Sequence, residues 1–433
     1  MRTSAFLLLC SVAIFASAMS PREQQLEAIK SNHRIVNIDG NGDIDSTTEK
    51  NLIDQFYYDQ FRHFQDPRAP YFLLMSKSEQ LAMGVGGLIR MKAYEDWNGS
   101  MPTSGFIPYD ISVPTNPATS NRFATNPAGS SIFFSVFGNN SKVGNYQLYI
   151  QAKFEAGGEH EFKLNKAYAT VGDWTLGYAT STFCDPSAQP ATIDSQGPNA
   201  EVSDTNVLLR WLHTMKQHYV VALSVESPDG AIPSLAGRYE GCSDFMPNFA
   251  GFVQYQWNKS EHIRLSGVVR GLKYRNLVTS ENHNVTGWGA HLSTVFNPVA
   301  PLTVYGAVIT GKGIGSLIND LQNSAMDLVG SVDANSGSMT APLSLGWYAG
   351  LQYNYRPDLF STVAFGEQRY LPSDEQVSGN SMYKYGLYGV ANIFWDITPR
   401  CEVGLEYNIG KRQNFDLQHD WVNRVCLMAQ FSF

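Results

Sequence analysis

From Tyr71 to Phe433 the chain repeats segments of about ten residues in which apolar and polar side chains alternate at every second position. Successive side chains of a strand point to opposite faces, so a period of two predicts strands with one apolar and one polar face. In the first segment Met83, Val85, Ile89 and Met91 share a face, and Arg90 and Lys92 share the other. Tyr146, Leu148, Ile150, Ala152 and Phe154 oppose Gln147, Tyr149, Gln151 and Lys153 in the same way. Val207, Leu209 and Trp211 oppose Asn206 and Arg210, and Ile263, Leu265 and Val269 oppose Arg264, Ser266 and Arg270. Near the end Val403, Leu405, Tyr407 and Ile409 oppose Glu402, Glu406 and Asn408, and Val425, Leu427, Ala429, Phe431 and Phe433 oppose Arg424, Gln430 and Ser432. About sixteen such segments occur, joined alternately by brief turns (172–173, 216–217, 258–261, 356–358, 398–400) and by long excursions (98–130, 185–203, 228–247, 313–340).

Strands of this length that mix lysine and arginine with apolar residues fit a bilayer only if the basic face meets water. In hydrocarbon an unpaired backbone N–H or C=O costs several kcal/mol, so a spanning sheet must have no edge. The pattern therefore predicts an all-β transmembrane fold: a closed antiparallel β-barrel of about sixteen strands. A soluble sandwich also alternates, but it does not explain the terminal aromatic Phe433 or the asymmetry of turns and loops. Nor does it explain the aromatic residues at segment ends, Trp174, Trp211, Trp257, Trp395 and Trp421, which suit interfacial girdles.

Ahead of the barrel, residues 1–18 read as a secretory signal: Arg2, an apolar stretch from Ala5 to Phe15, and the small-residue exit Ala16-Ser17-Ala18. Residues 19–70 form an N-terminal segment expected to be helical and periplasmic. It has a polar helix from Pro21 to Arg34, a loop, and a second stretch where Leu52, Ile53, Phe56, Tyr57, Phe61 and Phe64 follow helical spacing. The barrel occupies residues 71–433. Short turns on the periplasmic side and long loops outside are the usual asymmetry, which puts both the N-terminal segment and Phe433 on the periplasmic side of a bacterial outer membrane.

Composition agrees. The 433 residues are 43% hydrophobic and 12% aromatic but only 16% charged, against about 25% in soluble proteins. Beyond the signal no run reaches the eighteen apolar residues of a membrane helix. A net charge of −8 disfavours nucleic acid as a partner. Four cysteines remain after the signal, too few for a disulfide scaffold; Cys184 and Cys242 both map to the external side, where a loop disulfide would be feasible.

Several stretches resemble the DcaP-like outer-membrane porins: Phe56 to Phe72 (FYYDQFRHFQDPRAPYF) followed by Leu81 to Gly87 (LAMGVGG), Ser181 to Pro186 (STFCDP), Gly197-Pro198-Asn199, Gly311 to Gly315 (GKGIG) and Gly404 to Tyr407 (GLEY). The resemblance spans roughly 56–433. It implies a sixteen-stranded homotrimeric porin that admits small anionic solutes, dicarboxylates among them, and carries a helical segment on the periplasmic side. In this chain Pro21 to Arg34 is shorter than the three or four heptads of a coiled coil.

Strand parity assigns the lumen Arg90, Lys92, Lys153, Lys163, Arg210, Arg264, Arg270, Arg412 and Arg424, against the acids Glu155, Glu161, Glu226, Glu402 and Glu406. Arginine and lysine near strand middles favour anions, because charged side chains set the local potential over a Debye length of about 8 Å. On this reading Arg90, Arg210 and Arg264 are the residues whose neutralisation reduces anion selectivity; the alternative is that they brace the wall. The loop from Cys184 to Asn199, stiffened by Pro186, Pro190 and Pro198, is a candidate constriction whose Asp185 and Asp194 would oppose the basic wall. Asn37, Asp39, Asn41, Asp43 and Asp45 resemble an incomplete calcium loop, since Thr48 stands where the bidentate Glu belongs. No histidine spacing suits a metal, no cofactor motif occurs, and no nucleophile arrangement supports catalysis. The function expected is a water-filled diffusion channel in outer-membrane lipid for small anionic solutes. The alternative is a structural or adhesive barrel whose long loops bind a partner.

Overall fold

The computed structural model describes residues 34–37, 72–76 and 81–433, except 141, 155–160, 217, 259–260, 323 and 374–380. The alternating segments form sixteen strands: β1 (Leu81–Trp97), β2 (Ser131–Asn140), β3 (Gly144–Phe154), β4 (Phe162–Val171), β5 (Trp174–Thr180), β6 (Thr205–Met215), β7 (Tyr219–Glu226), β8 (Asn248–Gln256), β9 (His262–Asn276), β10 (Glu281–Val299), β11 (Leu302–Lys312), β12 (Leu343–Arg356), β13 (Leu359–Leu371), β14 (Tyr383–Thr398), β15 (Cys401–Asn414) and β16 (His419–Ser432). Each pairs antiparallel with its chain neighbours, and β16 returns to β1, from Asn423 opposite Trp97 to Ser432 opposite Leu88. Closure leaves no sheet edge in the membrane, as the hydrogen-bond argument requires.

The apolar face of the wall is the outer one. Ile89, Leu148, Ile150, Leu176, Val207, Leu223, Leu265, Val363 and Leu427 are all exposed there, while their neighbours in sequence point inward and most are buried. Trp174, Trp257, Trp395 and Trp421 stand on the outer face near strand ends. Tight turns join strands at one end of the barrel, the turn end, and long loops at the other, the loop end.

Below the last β16 pair the turn end of β1 would be left open. The strand Phe72–Ser76 covers it, pairing antiparallel from Phe72 opposite Val85 to Ser76 opposite Leu81. Arg34–Asn37 pairs parallel to that strand in turn. Arg34, assigned by sequence to the end of the first helical stretch, therefore opens a strand: the unpaired backbone of 72–76 supplies hydrogen bonds that outweigh a weak local helix preference. The remaining expected helical residues, the signal segment and the calcium-loop candidates Asp39, Asn41, Asp43 and Asp45 lie outside the described residues.

Four long connections enter or cover the lumen: L1 (98–130), L3 (181–204), L4 (227–247) and L6 (313–342). Phe183, Cys184, Ala200 and Val202 of L3 join Ile314, Leu317 and Ile318 of L6 in an apolar cluster on Ala250, Val268 and Ile309 of the inner wall. Met101, Phe106 and Ile111 of L1 form a second cluster on Ala364, Tyr388, Val390 and Val422. The barrel thus has an apolar core of its own inside a polar lumen, made by its loops. In this packing the loop disulfide that the sequence left open is not formed. Cys184 is buried beneath L3 with its Sγ toward the Asp204 carbonyl at 3.7 Å, whereas Cys242 lies in L4 beside β9, and both thiols are free.

Candidate functional site

Parity and burial turn Arg90, Lys92, Lys153, Arg210, Arg264, Arg270, Arg412 and Arg424 to the inside of the barrel. They separate into two groups. The first lies beneath the inward loops and is committed to them. Arg424 makes a two-pronged bond to Asp96 (2.6 and 3.0 Å), donates to the Ser104 carbonyl of L1 and stacks 4.1 Å over Tyr94. Arg264 meets Asp185 at 3.4 Å, donates to the Cys184 carbonyl and Gln254, and lies 4.2 Å over the Phe252 ring. Arg270 pairs with Asp229 of L4 (2.7 Å) and Asp327 of L6 (3.3 Å). Arg210, fully buried, donates to the Thr180 carbonyl at the root of L3. Arg412 donates to the Tyr109 carbonyl of L1 and lies between the Tyr109 and Tyr383 rings. Lys92 is buried with Asp194 of L3 among its electrostatic neighbours. A buried ion pair holds geometry, because losing one partner strands the other in low dielectric.

The second group stays accessible on β1, β3 and β4. Arg90 is half-buried and donates to Gln430 at 2.7 Å. Lys153 of β3 stands directly across from Lys163 of β4, and Gln151 directly across from Lys166. Lys163, about half exposed, pairs with Glu161 at 2.6 Å. Lys166 was invisible to simple parity: a register shift between Gln151 and Ala152 makes Asn165 an extra residue and reverses the faces of β4 beyond it.

L3 packs on the inner wall at β9, β10, β12 and β15. Three of its four carboxylates, Asp185, Asp194 and Glu201, are buried, and the fourth, Asp204, is half-buried at its foot. Asp185 accepts from His262 (2.8 Å) and Ser293 (2.5 Å), and those groups with Arg264 hold its carboxyl well below the usual range despite its burial. Asp194 accepts from the Phe106 and Gln196 amides and from the Tyr388 hydroxyl; burial pushes its carboxyl up. Glu201 accepts from Gln189, and burial pushes it well above a normal glutamate, with Lys153 its one basic neighbour of note. Gly197 lies next to it with φ +70°, a left-handed conformation that favours glycine, and a Cβ there would crowd the Glu201 carboxylate. Apart from Asp204 at its foot, the accessible groups of L3 are uncharged, Ser187, Gln189, Thr192 and Ser195 among them. Glu406, also missed as a loop anchor, accepts from the Ile193 and Asp194 amides at the tip of L3.

Asp204, at the foot of L3, is half-buried close to Asp229 and Glu226. Burial, reinforced by those two carboxylates, pushes it up to about 8. The folded protein then keeps a proton that the unfolded chain releases near about pH 4, so this group's contribution to stability falls as pH rises from about 4 to about 8. Asp204→Asn should flatten that slope. Urea midpoints in detergent at pH 5 to 8 measure it; an equal slope in both proteins would refute the assignment.

The sequence model of the DcaP outer membrane protein family matches residues 75–433. No curated protein matches the sequence. Among solved structures, the outer membrane channel DcaP of Acinetobacter baumannii superposes with a TM-score of 0.69 at 18% identity, covering 83% of this chain and 99% of that one. OmpT of Vibrio cholerae gives 0.51 at 7% identity, covering 82% and 99%. Salmonella typhi OmpF, in a complex with daunomycin, also gives 0.51 at 7% identity with the same coverage. At these identities the likeness speaks for the fold.

Proposed function

The chain belongs to the DcaP outer membrane protein family, and from that premise we propose that its barrel is a water-filled diffusion channel preferring small anionic solutes such as dicarboxylates. The observation that carries this reading is the unequal exposure of charge along the passage. Arg90, Lys153, Lys163 and Lys166 remain accessible on one wall, while Asp185, Asp194 and Glu201 of L3 are buried and present no bare carboxylate. Cations within a Debye length of about 8 Å overlap in potential, which attracts anions into the passage and repels cations. Lysine ammonium groups on flexible stems suit solutes that must leave again, since conduction fails if binding is too tight. The same reading puts the N-terminal segment and the turn end on the periplasmic side and three copies in the assembly.

The test is reconstitution in a planar bilayer under a salt gradient. The wild type should show conductance steps and an anion-selective reversal potential. Lys153→Gln, Lys163→Gln and Lys166→Gln together should move that potential most of the way to the unselective value at nearly unchanged conductance. Arg210→Gln, its side chain fully buried, should leave it in place. A cation-selective wild type, or a triple variant with unaltered selectivity, would overturn the proposal.

A further inference from the structure

L1 encloses a cavity of about 410 Å³ that the permeation reading does not use, lined by Ser100, Asp110, Ser112, Thr119, Asn121 and Arg122 with the backbone around Met101 and Pro102. It lies within the range of small-ligand clefts, about 300–1,000 Å³. Its walls are held from several sides. Asp96 and Arg424 tie down 101–104, Asp194 accepts from the Phe106 amide, Asp320 from the Tyr109 amide, and Asp420 from the Thr115 amide at 2.7 Å. The Gly99 amide donates to the Ser120 carbonyl across the base of the loop. A cavity braced in this way needs little ordering on binding, which is the main cost a flexible loop would impose.

The lining chemistry is mixed. Arg122 uses one amino group on the Met101 and Pro102 carbonyls, at 2.6 and 3.0 Å, and Thr119 donates to the Asn116 carbonyl at 3.4 Å. Among the described residues, the side chains of Ser100, Asp110, Ser112 and Asn121 have no protein hydrogen-bond partner. Arg122 and the Asn121 amide offer donors, the Asp110 carboxylate and Asn121 carbonyl offer acceptors, and the serine hydroxyls offer both. One acid and one base line the cavity, so it has no net charge: an anion meets Asp110 and a cation meets Arg122. The ligand that satisfies both kinds of group with no charge of its own is a polyhydroxylated one, since each of its hydroxyls donates and accepts. Pro102 and Ala118 provide apolar surface for its C–H face.

We propose that this L1 cavity is a binding site for a neutral saccharide, separate from the passage beneath it. The test uses the purified full-length barrel in detergent and isothermal titration with maltose, trehalose, cellobiose and a delipidated neutral core oligosaccharide of lipopolysaccharide, with succinate as the anionic probe. At least one saccharide should bind once per barrel. Asp110→Ala and Asn121→Ala should each weaken it at least tenfold, while single-channel conductance in those variants stays at the wild-type value as evidence of a folded barrel. Binding of a disaccharide identifies a free sugar as the ligand, and binding of the core oligosaccharide alone identifies a surface glycan; either supports the site. Absence of binding by all four saccharides overturns it, as does unchanged affinity in both variants or displacement of the sugar by succinate.

Discussion

Asp185→Ala should destabilise the barrel by about 3–5 kcal/mol, the usual result of removing one partner from a buried ion pair. Asp185 is buried at the root of L3 and gathers His262 and Arg264 of β9 and Ser293 of β10 around its carboxylate. Without it a guanidinium remains in a dry site without its facing carboxylate, the Cys184 carbonyl, Gln254 and the Phe252 ring among its remaining contacts. The acid's folded-state affinity for protons is depressed, so its contribution is complete above its ordinary titration near about pH 4 and is lost as pH falls below that. Urea unfolding in detergent should therefore show a variant that is less stable at pH 7 and closer to wild type in acid. Asp185→Ala with Arg264→Met should recover much of the loss, because no buried charge is then stranded. A single variant within about 1 kcal/mol of wild type at pH 7 would mean that water already screens the site.

Much of the barrel could be read from period alone. A strand has only two faces, so Arg90, Lys153 and Arg264 had to be internal once Ile89, Phe154 and Leu265 were external. Sixteen strands followed from counting. Two features escaped for physical reasons. The bulge at Asn165 changes face by one residue, and neither Asn165 nor its neighbours carry a signal for it, so simple counting does not place Lys166 in the lumen. Non-local burial was the other. Nothing in the alternation distinguishes Lys153 from Arg264, yet one remains accessible and the other is roofed by L3, because tertiary contacts of L3 and L6 decide it. Parity reports which way a side chain points; what covers it is settled by loops whose own sequence has no period.

The loop tip offers the clearest separation of stability from conduction. Glu406 of β15 is fully buried and accepts from the Ile193 amide (2.6 Å), the Asp194 amide (2.8 Å), Asn392 (3.0 Å) and Asn408 (3.2 Å). It is the wall's grip on the tip of L3, opposite in position to the grip at Asp185. In Glu406→Ala two buried backbone donors lose their acceptor at about 1–3 kcal/mol each, so a destabilisation of roughly 2–6 kcal/mol is expected. The tip can recover those bonds from water only by leaving the wall, and doing so moves L3 within the passage. Single-channel recordings should then show altered conductance with more frequent flicker, in contrast to the lysine variants, which alter selectivity at nearly constant conductance. Glu406→Gln keeps the shape but turns one acceptor into a donor aimed at an amide, so it should fall between wild type and alanine in both measurements. Wild-type conductance and noise in Glu406→Ala would show that the L1 and L6 clusters hold L3 without this carboxylate.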